Sequence, residues 1–345
     1  MMLILINFSC IIFDMKSFLD SGKEIRVGLL RGGPGREREL SLNTGISFIK
    51  NIPEEYIVRD IIISKDLSWN IKGVRTNPEK ILRDLDLVIN SIHGNFGEDG
   101  VLQRILNNFS VPYTGSQALP SLMSFNKYFA KKIFENAGIK TPRYLIVKND
   151  IESKQTAMNI FRGFVMPVII KPISDGSSND IFVARDFGTL LLSLENLLNK
   201  YETLLIEEFI EGKQITCGVI DNFRNEDIYE LMPLEIILNE GQDYFDYSKK
   251  DLPAQAGGAI YSCPTSLPMS MKREVQKIAS KAHNVLNLRH YSRSDFIVSP
   301  RRGIYLLETN ALPDLSGNSP FVRELNEVGV SLADFIKHIS NLAIK

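Results

Sequence analysis

The sequence has few of the residues that bind transition metals or staple small folds. Three cysteines, Cys10, Cys217 and Cys263, and four histidines are scattered over 345 residues. The cysteine spacing suits neither a zinc site nor a disulfide framework and fits a reducing, cytoplasmic setting. Net charge is almost absent, at −1, so there is no global basic field of the kind that gathers nucleic acid. Long apolar runs are missing as well. Met1 to Phe13 is strongly apolar, but Asp14 and Lys16 follow at once, and the run is too short to cross a bilayer. It lacks a basic leader and a small-residue cleavage site, which argues against a signal peptide. Residues 1–23 read as an extension, with Met15 a second candidate start and a membrane-surface anchor the minor alternative. Repeats and low-complexity tracts are absent. The Gly-x-Gly-x-x-Gly spacing of dinucleotide-binding dehydrogenases is also missing, since the first glycine cluster reads Arg31-Gly32-Gly33-Pro34-Gly35.

What is present is ordinary globular composition, 44% apolar and 23% charged, in a chain long enough for two or three domains. Glu24 to Leu30, Tyr56 to Ile63 and Asp86 to Ile92 read as buried strands, with a helix over Leu42 to Ile49 capped by Ser41. Strands alternating with helices imply a parallel α/β sheet, whose ligands collect at the carboxyl ends of strands. A helix follows from Asn126 to Ala137, closed by Gly138. Pro167 to Lys171 and Ile181 to Ala184 read as a hairpin around a small-residue turn, Asp175 to Ser178. A helix over Asp186 to Lys200 and a strand over Leu204 to Glu208 come next. Ile215 to Ile220 and Ile228 to Ile237 read as strands of a third, largely antiparallel unit, with helices over Lys272 to Leu286 and Ser331 to Leu342. Asn239 to Ser262 is polar and aperiodic, and a loop of that length in a compact enzyme usually has a function.

Near the C-terminus, Arg293-Ser294-Asp295-Phe296 and Leu307-Glu308-Thr309-Asn310 place two carboxylates and an amide oxygen on what read as adjacent strands. Oxygen-only donors suit a hard cation such as Mg²⁺, which usually also binds substrate phosphates. An arginine two residues before the first carboxylate can steady a nearby oxyanion. The set points to a Mg-nucleotide enzyme with an acyl-type intermediate; the plainer alternative is a group of solvated turn residues.

Three further strings join this set in order. His93-Gly94-Asn95-Phe96-Gly97-Glu98-Asp99-Gly100 precedes Pro112-Tyr113-Thr114-Gly115-Ser116. Lys171-Pro172 leads into Gly176-Ser177-Ser178, and Glu207-Glu208-Phe209-Ile210-Glu211-Gly212 follows. Together they resemble the D-alanine–D-alanine ligases of the ATP-grasp superfamily, from about Val27 to Ile339. The resemblance implies an ATP-grasp fold: a parallel α/β domain over residues 24–121, and two α+β domains, 122–212 and 213–345, that clamp ATP. It implies joining of two D-alanines through an acylphosphate, for peptidoglycan precursors, in the cytoplasm, without nucleic-acid or membrane partners; a homodimer is compatible with it. Lys127 and Lys171 would hold ATP phosphates, and Gly176, Ser177 and Ser178 would close over them. Glu207, Phe209 and Ile210 would take the adenine, and Gln214 the ribose. Asp295, Glu308 and Asn310 would hold two Mg²⁺ or Mn²⁺ ions, and Arg293 would stabilise the tetrahedral intermediate. Glu39 would bind the first ammonium, linked to Ser177, with His93 beside it. Lys250 would lie on the substrate-covering loop, and Ser319 would bind the second carboxylate.

Four positions depart from the family pattern. Asn179-Asp180 replaces a small-residue stretch near the phosphates, and Asp251 replaces a loop tyrosine for which Tyr247 is a substitute. Gln214 replaces a glutamate. Asp314 replaces the oxyanion-hole glycine in Asn310-Ala311-Leu312-Pro313-Asp314-Leu315-Ser316. Carboxylates at 180, 251 and 314 would repel the substrates unless they turn away or are paired. A ligase for a different amino acid or a hydroxy acid, or a nucleotide-binding paralogue without turnover, are therefore the alternatives. Because the first strand begins near Glu24 and no motif precedes it, a chain starting at Met15 should keep its melting temperature and its activity. A large drop in melting temperature would show instead that the apolar segment packs on the body.

Overall fold

The computed structural model describes residues 24–149, 152–174, 180–237, 260–317 and 319–345. Its backbone is organised around three sheets. The first contains β1 (Ile25–Gly32), β2 (Tyr56–Ile63), β3 (Trp69–Ile71), β4 (Val74–Arg75) and β5 (Leu87–Asn90), in the order β4-β3-β2-β1-β5. β1 runs parallel to both β2 and β5, as the alternation of strands and helices predicts. Val27, Leu29, Leu30, Leu87, Val88 and Ile89 are all fully buried, which is why these strands read as continuous apolar runs rather than alternating ones.

After β1 the chain turns sharply at Gly32, where φ is +95° and a Cβ would lie 2.5 Å from the Ile63 carbonyl oxygen; only glycine fits. Helix α1 (Arg38–Asn51) then starts one turn earlier than expected, with Glu37 at its N-cap position. Ser41 is not a cap. It lies inside α1, and its Oγ accepts the Gly32 N–H at 2.8 Å, tying the helix to the strand it follows. α2 (Pro78–Leu82) and α3 (Val101–Asn108) complete this part of the chain.

α4 (Ala118–Phe125) and α5 (Lys127–Asn136) lead into the second sheet. Asn126 caps α5 by accepting the N–H groups of Tyr128 and Phe129, and Gly138 ends it at φ +69°. β6 (Tyr144–Lys148), β7 (Val168–Pro172), β8 (Phe182–Ala184) and β9 (Thr203–Glu208) pair antiparallel in the order β6-β9-β7-β8. The β7–β8 pairing, Val168 opposite Ala184, is the expected hairpin; its turn, 175–179, lies outside the described residues. α6 (Ser153–Gly163) and α7 (Phe187–Leu198) enclose a core of Ala157, Ile160, Ile170, Leu190, Leu194 and Ile206.

The third sheet holds β10 (Lys213–Phe223), β11 (Glu226–Glu230), β12 (Leu234–Ile237), β13 (Ile260–Ser262), β14 (Tyr291–Ser299) and β15 (Gly303–Asn310). Its order is β13-β12-β10-β14-β15, with β11 also on β10. It is backed by α8 (Met269–Val285) and α9 (Pro320–Glu327). The last helix, α10 (Leu332–Ile344), places Phe335, Ile336 and Ile339 in one core with Val27, Leu29 and Ile89 of the first sheet. α10 thus joins β10 and β14 of the third sheet to the first sheet in one core.

The single strand expected over Ile228 to Ile237 is two strands. Pro233 has no N–H for the ladder, and the chain breaks there. β11 pairs with Val219–Phe223 and β12 with Gln214–Thr216 along the same edge of β10. Between them Gly218 keeps its carbonyl bonded to the Leu231 N–H at 2.8 Å, but its own N–H goes to Glu324 Oε2 at 2.7 Å. A Cβ at Gly218 would lie 2.7 Å from that oxygen and from Phe321, so glycine and glutamate fit one notch.

Glu324 is fully buried, and its Oε1 has no hydrogen-bond partner among the described residues. Burial pushes its pKa up to about 8, against the opposing pull of Arg293 and the Gly218 N–H. The folded state therefore binds a proton that the unfolded chain has released, and stability should fall as pH rises from about 4.5 to about 8. Glu324→Gln keeps an acceptor for Gly218 and removes the titration. Its melting temperature should fall much less than that of the wild type between about pH 6 and about pH 9. Parallel pH profiles for the two proteins would show that Glu324 does not titrate in this range.

Candidate active site

The deepest part of the site is a buried ionic triad. Glu207 near the end of β9 is 2% exposed, and its two oxygens meet two lysines, Lys131 Nζ at 2.7 Å and Lys171 Nζ at 2.7 Å. β7 and β9 are antiparallel neighbours, with Lys171 opposite Leu205 and Glu207 opposite Ile169, so pairing of the strands delivers both groups to one place. Lys131 comes from α5, is fully buried, and also donates to Thr141 Oγ1 at 2.5 Å and the Pro142 carbonyl at 3.3 Å. Burial opposes the Glu207 charge, but Lys131 and Lys171 outweigh it and pull the pKa down to about 2. For Lys131 burial prevails, aided by the Lys171 charge, and its pKa is lowered despite Glu207. Two ammonium groups and one carboxylate leave one positive charge, a suitable floor for a phosphate.

Lys131 was not legible as a site residue in the motif strings. Its signal is its spacing: it lies four residues after Lys127, on the same side of α5, where i and i+4 share a face. Lys127 opens that helix, with its backbone N–H on the Ile173 carbonyl at 2.9 Å and its Nζ 3.2 Å from Glu308 Oε2. It thereby joins the lysine floor to the acidic strands.

Those strands are β14 and β15, paired antiparallel with Arg293 opposite Asn310 and Asp295 opposite Glu308. The register slips between Asp295 and Phe296, where Phe296 pairs with Leu306 and leaves Leu307 as the extra residue. Such a bulge re-aims side chains at a strand end. Arg293 grips Asp295 with two hydrogen bonds, Nε to Oδ1 at 2.9 Å and Nη2 to Oδ2 at 2.7 Å. Asn310 Nδ2 lies 3.4 Å from Asp295 Oδ2. Burial disfavours the Glu308 carboxylate, but Lys127 and Lys171 outweigh it and keep its pKa below the ordinary value. The three expected metal ligands are thus neighbours, and two carboxylates with an amide oxygen are a donor set for a hard cation that takes its remaining ligands from phosphate and water. Among the described residues no group of three His, Cys, Asp or Glu side chains that could hold a metal ion gathers.

Beside the triad, Ile210 packs with Ile297, Tyr305 and Leu307 in a small apolar cluster, and Phe209 follows Glu208 at the end of β9. Gln214 lies on β10 opposite Ile297.

At the mouth of the first sheet the structure gathers a second cluster. His93 is 3% exposed and lies just after β5. Its Nε2 is 2.9 Å from Thr44 Oγ1, and its Nδ1 is 3.6 Å from Glu98 Oε1. Burial lowers its pKa, but Glu98, Asp314 and Glu37 outweigh that and raise it above normal. Glu39 is not in this cluster. It is exposed on α1, whereas Glu37 is 8% exposed and lies against Gly94. The periodicity of α1 explains the difference: Glu37, Ser41, Thr44 and Phe48 share the buried face, and Glu39 lies off it. Ser319 is buried at the N-cap position of α9, and its Oγ donates to the Asp314 carbonyl at 2.7 Å.

Two of the three added carboxylates are accounted for. Asp180 accepts from Arg36 at 2.7 Å and Tyr201 at 2.7 Å, with Lys200 3.4 Å away, so its charge is matched by cations. Asp314 Oδ1 accepts from Thr44 Oγ1 at 2.9 Å and from the Ser316 N–H at 2.8 Å. Gly176, Ser177, Ser178, Lys250, Tyr247 and Asp251 lie outside the described residues.

No helix among the described residues is long and apolar enough to cross a membrane. Comparison with known proteins agrees with this geometry. The family model "D-ala D-ala ligase C-terminus" matches residues 133–341, and "D-ala D-ala ligase N-terminus" matches 70–116. A D-alanine–D-alanine ligase of Syntrophobacter fumaroxidans is 31% identical over 94% of this chain and 99% of its own length. D-alanine–D-alanine ligase B of Clostridium perfringens is 33% identical over 90% and 96%. Among solved structures, the VanG D-Ala:D-Ser ligase of Enterococcus faecalis superposes with a TM-score of 0.80 at 22% identity, covering 93% of this chain and 99% of that one. The D-alanine–D-alanine ligase of Coxiella burnetii gives 0.78 at 19%, covering 93% and 94%; both share the fold. On the family model and the curated relatives together, the chain belongs to the D-alanine–D-alanine ligase family.

Proposed function

We propose that this chain is the ATP-dependent ligase that joins two D-alanines for peptidoglycan precursors. The observation that carries the reading most directly is the Lys131–Glu207–Lys171 triad next to the Lys127–Glu308 and Arg293–Asp295 pairs. It sets a fixed positive floor beside an oxygen-donor cluster, as transfer of a phosphoryl group from ATP to a carboxylate requires.

In this reading Lys127, Lys131 and Lys171 bind the phosphates, with Gly176, Ser177 and Ser178 closing over them. Ile210, Phe209 and Leu307 hold the base, Glu207 and the end of β9 present polar groups to it, and Gln214 bonds the ribose. Asp295, Glu308 and Asn310 hold two Mg²⁺ or Mn²⁺ ions, which would neutralise the charge on the transferred phosphoryl group. Glu37, rather than Glu39, binds the first D-alanine's ammonium beside His93. Arg293, held by Asp295, stays cationic at neutral pH and is aimed by two hydrogen bonds. It stabilises the oxyanion formed when the second amine attacks the acylphosphate. Ser319 and Lys250 secure the second substrate. Asp180 and Asp314 do not oppose this chemistry, because their carboxylates are engaged by Arg36, Lys200, Tyr201, Thr44 and Ser316.

The test is phosphate release from ATP across a panel of D-alanine, D-serine and D-lactate as second substrate. D-alanine should give the highest rate, Glu308→Gln should abolish it with the fold intact, and Arg293→Lys should lower it by about 10²–10³ with ATP affinity kept. Absence of D-alanine-dependent release from the wild type would sink the reading. The triad gives a separate prediction. Glu207→Gln leaves two buried ammonium groups without their anion and should cost about 3–5 kcal/mol in chemical denaturation. Lys131→Met leaves the Lys171–Glu207 pair intact and should mainly weaken ATP binding. Equal losses of stability in the two variants would contradict this arrangement.

A further inference from the structure

The cluster around His93 contains a hydrogen-bond sequence whose direction is fixed by chemistry. A carboxylate accepts and does not donate, and Asp314 Oδ1 already takes the Ser316 N–H. The single hydroxyl hydrogen of Thr44 therefore goes to Asp314, at 2.9 Å. With that hydrogen committed, Thr44 Oγ1 can meet His93 Nε2 at 2.9 Å only as acceptor, so Nε2 carries a proton. On the far side of the ring Nδ1 faces Glu98 Oε1 at 3.6 Å, an oxygen that also holds the Gly94 N–H at 2.8 Å. Both ring nitrogens thus face protein groups, and the ring is 3% exposed.

The same residue reaches the other substrate position. The Asp314 backbone carbonyl accepts the Ser319 hydroxyl at 2.7 Å. Asp314 is therefore bonded through its side chain toward the first-substrate cluster, on α1 and β5, and through its backbone to the serine at the start of α9.

We propose that Asp314 and Thr44 are positioning residues for His93, fixing its Nε2–H form and tying the first amino-acid subsite to the segment that carries Ser319. The assignment of those subsites rests on the ligase reading above; the bonding sequence does not. The charged groups that face the imidazole are Glu98 and Glu37 from the first sheet's loops and Asp314 from the segment after β15, three carboxylates around one ring. They raise the pKa of the ring above its ordinary value against the effect of burial, and a cationic ammonium is the substrate group that such a surround attracts. Asp314 replaces a glycine of the family pattern, so in this chain an extra anion orients the ring from across the site instead of entering the oxyanion hole.

The first experiment is ¹⁵N NMR of the histidine side chains in the ligand-free full chain, with His93 assigned by a His93→Gln variant. His93 should show a protonated Nε2, and Thr44→Val should abolish that preference while Thr44→Ser restores it. The second is steady-state kinetics. Thr44→Val and Asp314→Ala should each raise KM for the first D-alanine by about tenfold, the effect of one buried hydrogen bond, with KM for ATP unchanged. The double variant should be no worse than either single one. A wild-type His93 that is unprotonated at Nε2 overturns the proposal, even if the valine variant fails to fold. So does an equal rise in KM for ATP, or additive losses in the double variant. A wild type without D-alanine-dependent phosphate release removes the ligase reading, while the NMR result still decides the bonding sequence.

Discussion

A carboxylate with no access to water must be paired or must take up a proton, and the centre of this structure is arranged around that constraint. Glu207 stays charged because two ammonium groups reach it from separate elements, α5 and β7. The ion pairs, with Thr141 and the Pro142 carbonyl on Lys131, offset a desolvation that is large for any single buried ion. The triad therefore ties a helix to two strands, and its net charge of one is what the proposed phosphate site would use. The rest of the site attaches to it. Lys127 reaches from the start of the same helix to Glu308, and Glu308 lies opposite Asp295, which aims Arg293. A line of ion pairs thus runs from the lysine triad through Lys127 and Glu308 to Asp295 and Arg293.

A second cluster, built by Thr44, His93, Glu98 and Asp314, joins the edge of the first sheet to the segment after β15. The two differ in physical type. The lysine triad is ionic and buried, and its geometry follows from strand pairing. The histidine cluster is directional, because one hydroxyl hydrogen sets the sense of the whole sequence. Two carboxylates added relative to the family pattern find partners: Asp180, outside both clusters, on Arg36 and Lys200, and Asp314 on Thr44.

Much of this was legible in the residue order. Continuous apolar runs gave β1 and β2 nearly to the residue, and the capping residues Asn126 and Asp186 marked the start of their helices. The acidic strings near the C-terminus are neighbours because β14 and β15 are a simple antiparallel pair, where short sequence separation implies proximity. Other features depend on three-dimensional partners that no local pattern encodes. Ser41 resembles a cap but bonds to Gly32 across the turn. Glu39 and Glu37 are equivalent acids in the string and differ only in which side of α1 faces the sheet. Lys131 resembles a surface lysine until β9 supplies Glu207. The break at Pro233 was missed in a strand read as continuous from Ile228 to Ile237, and nothing local shows that Glu324, a distant residue, takes the Gly218 N–H.

That last contact also constrains how the chain can change over time. Glycine at 218 makes room for the Glu324 carboxyl, and the carboxyl satisfies the glycine's N–H. An alanine at 218 with glutamate still in place produces a clash. An alanine at 324 with glycine still in place leaves a buried donor without an acceptor and an empty notch beside Phe321. Each single step is therefore costly, and a compensating change at 324 must both make room for a side chain at 218 and keep an acceptor for its N–H. The pair is therefore inherited as one character, and sequences that diverge here should do so at both positions or at neither.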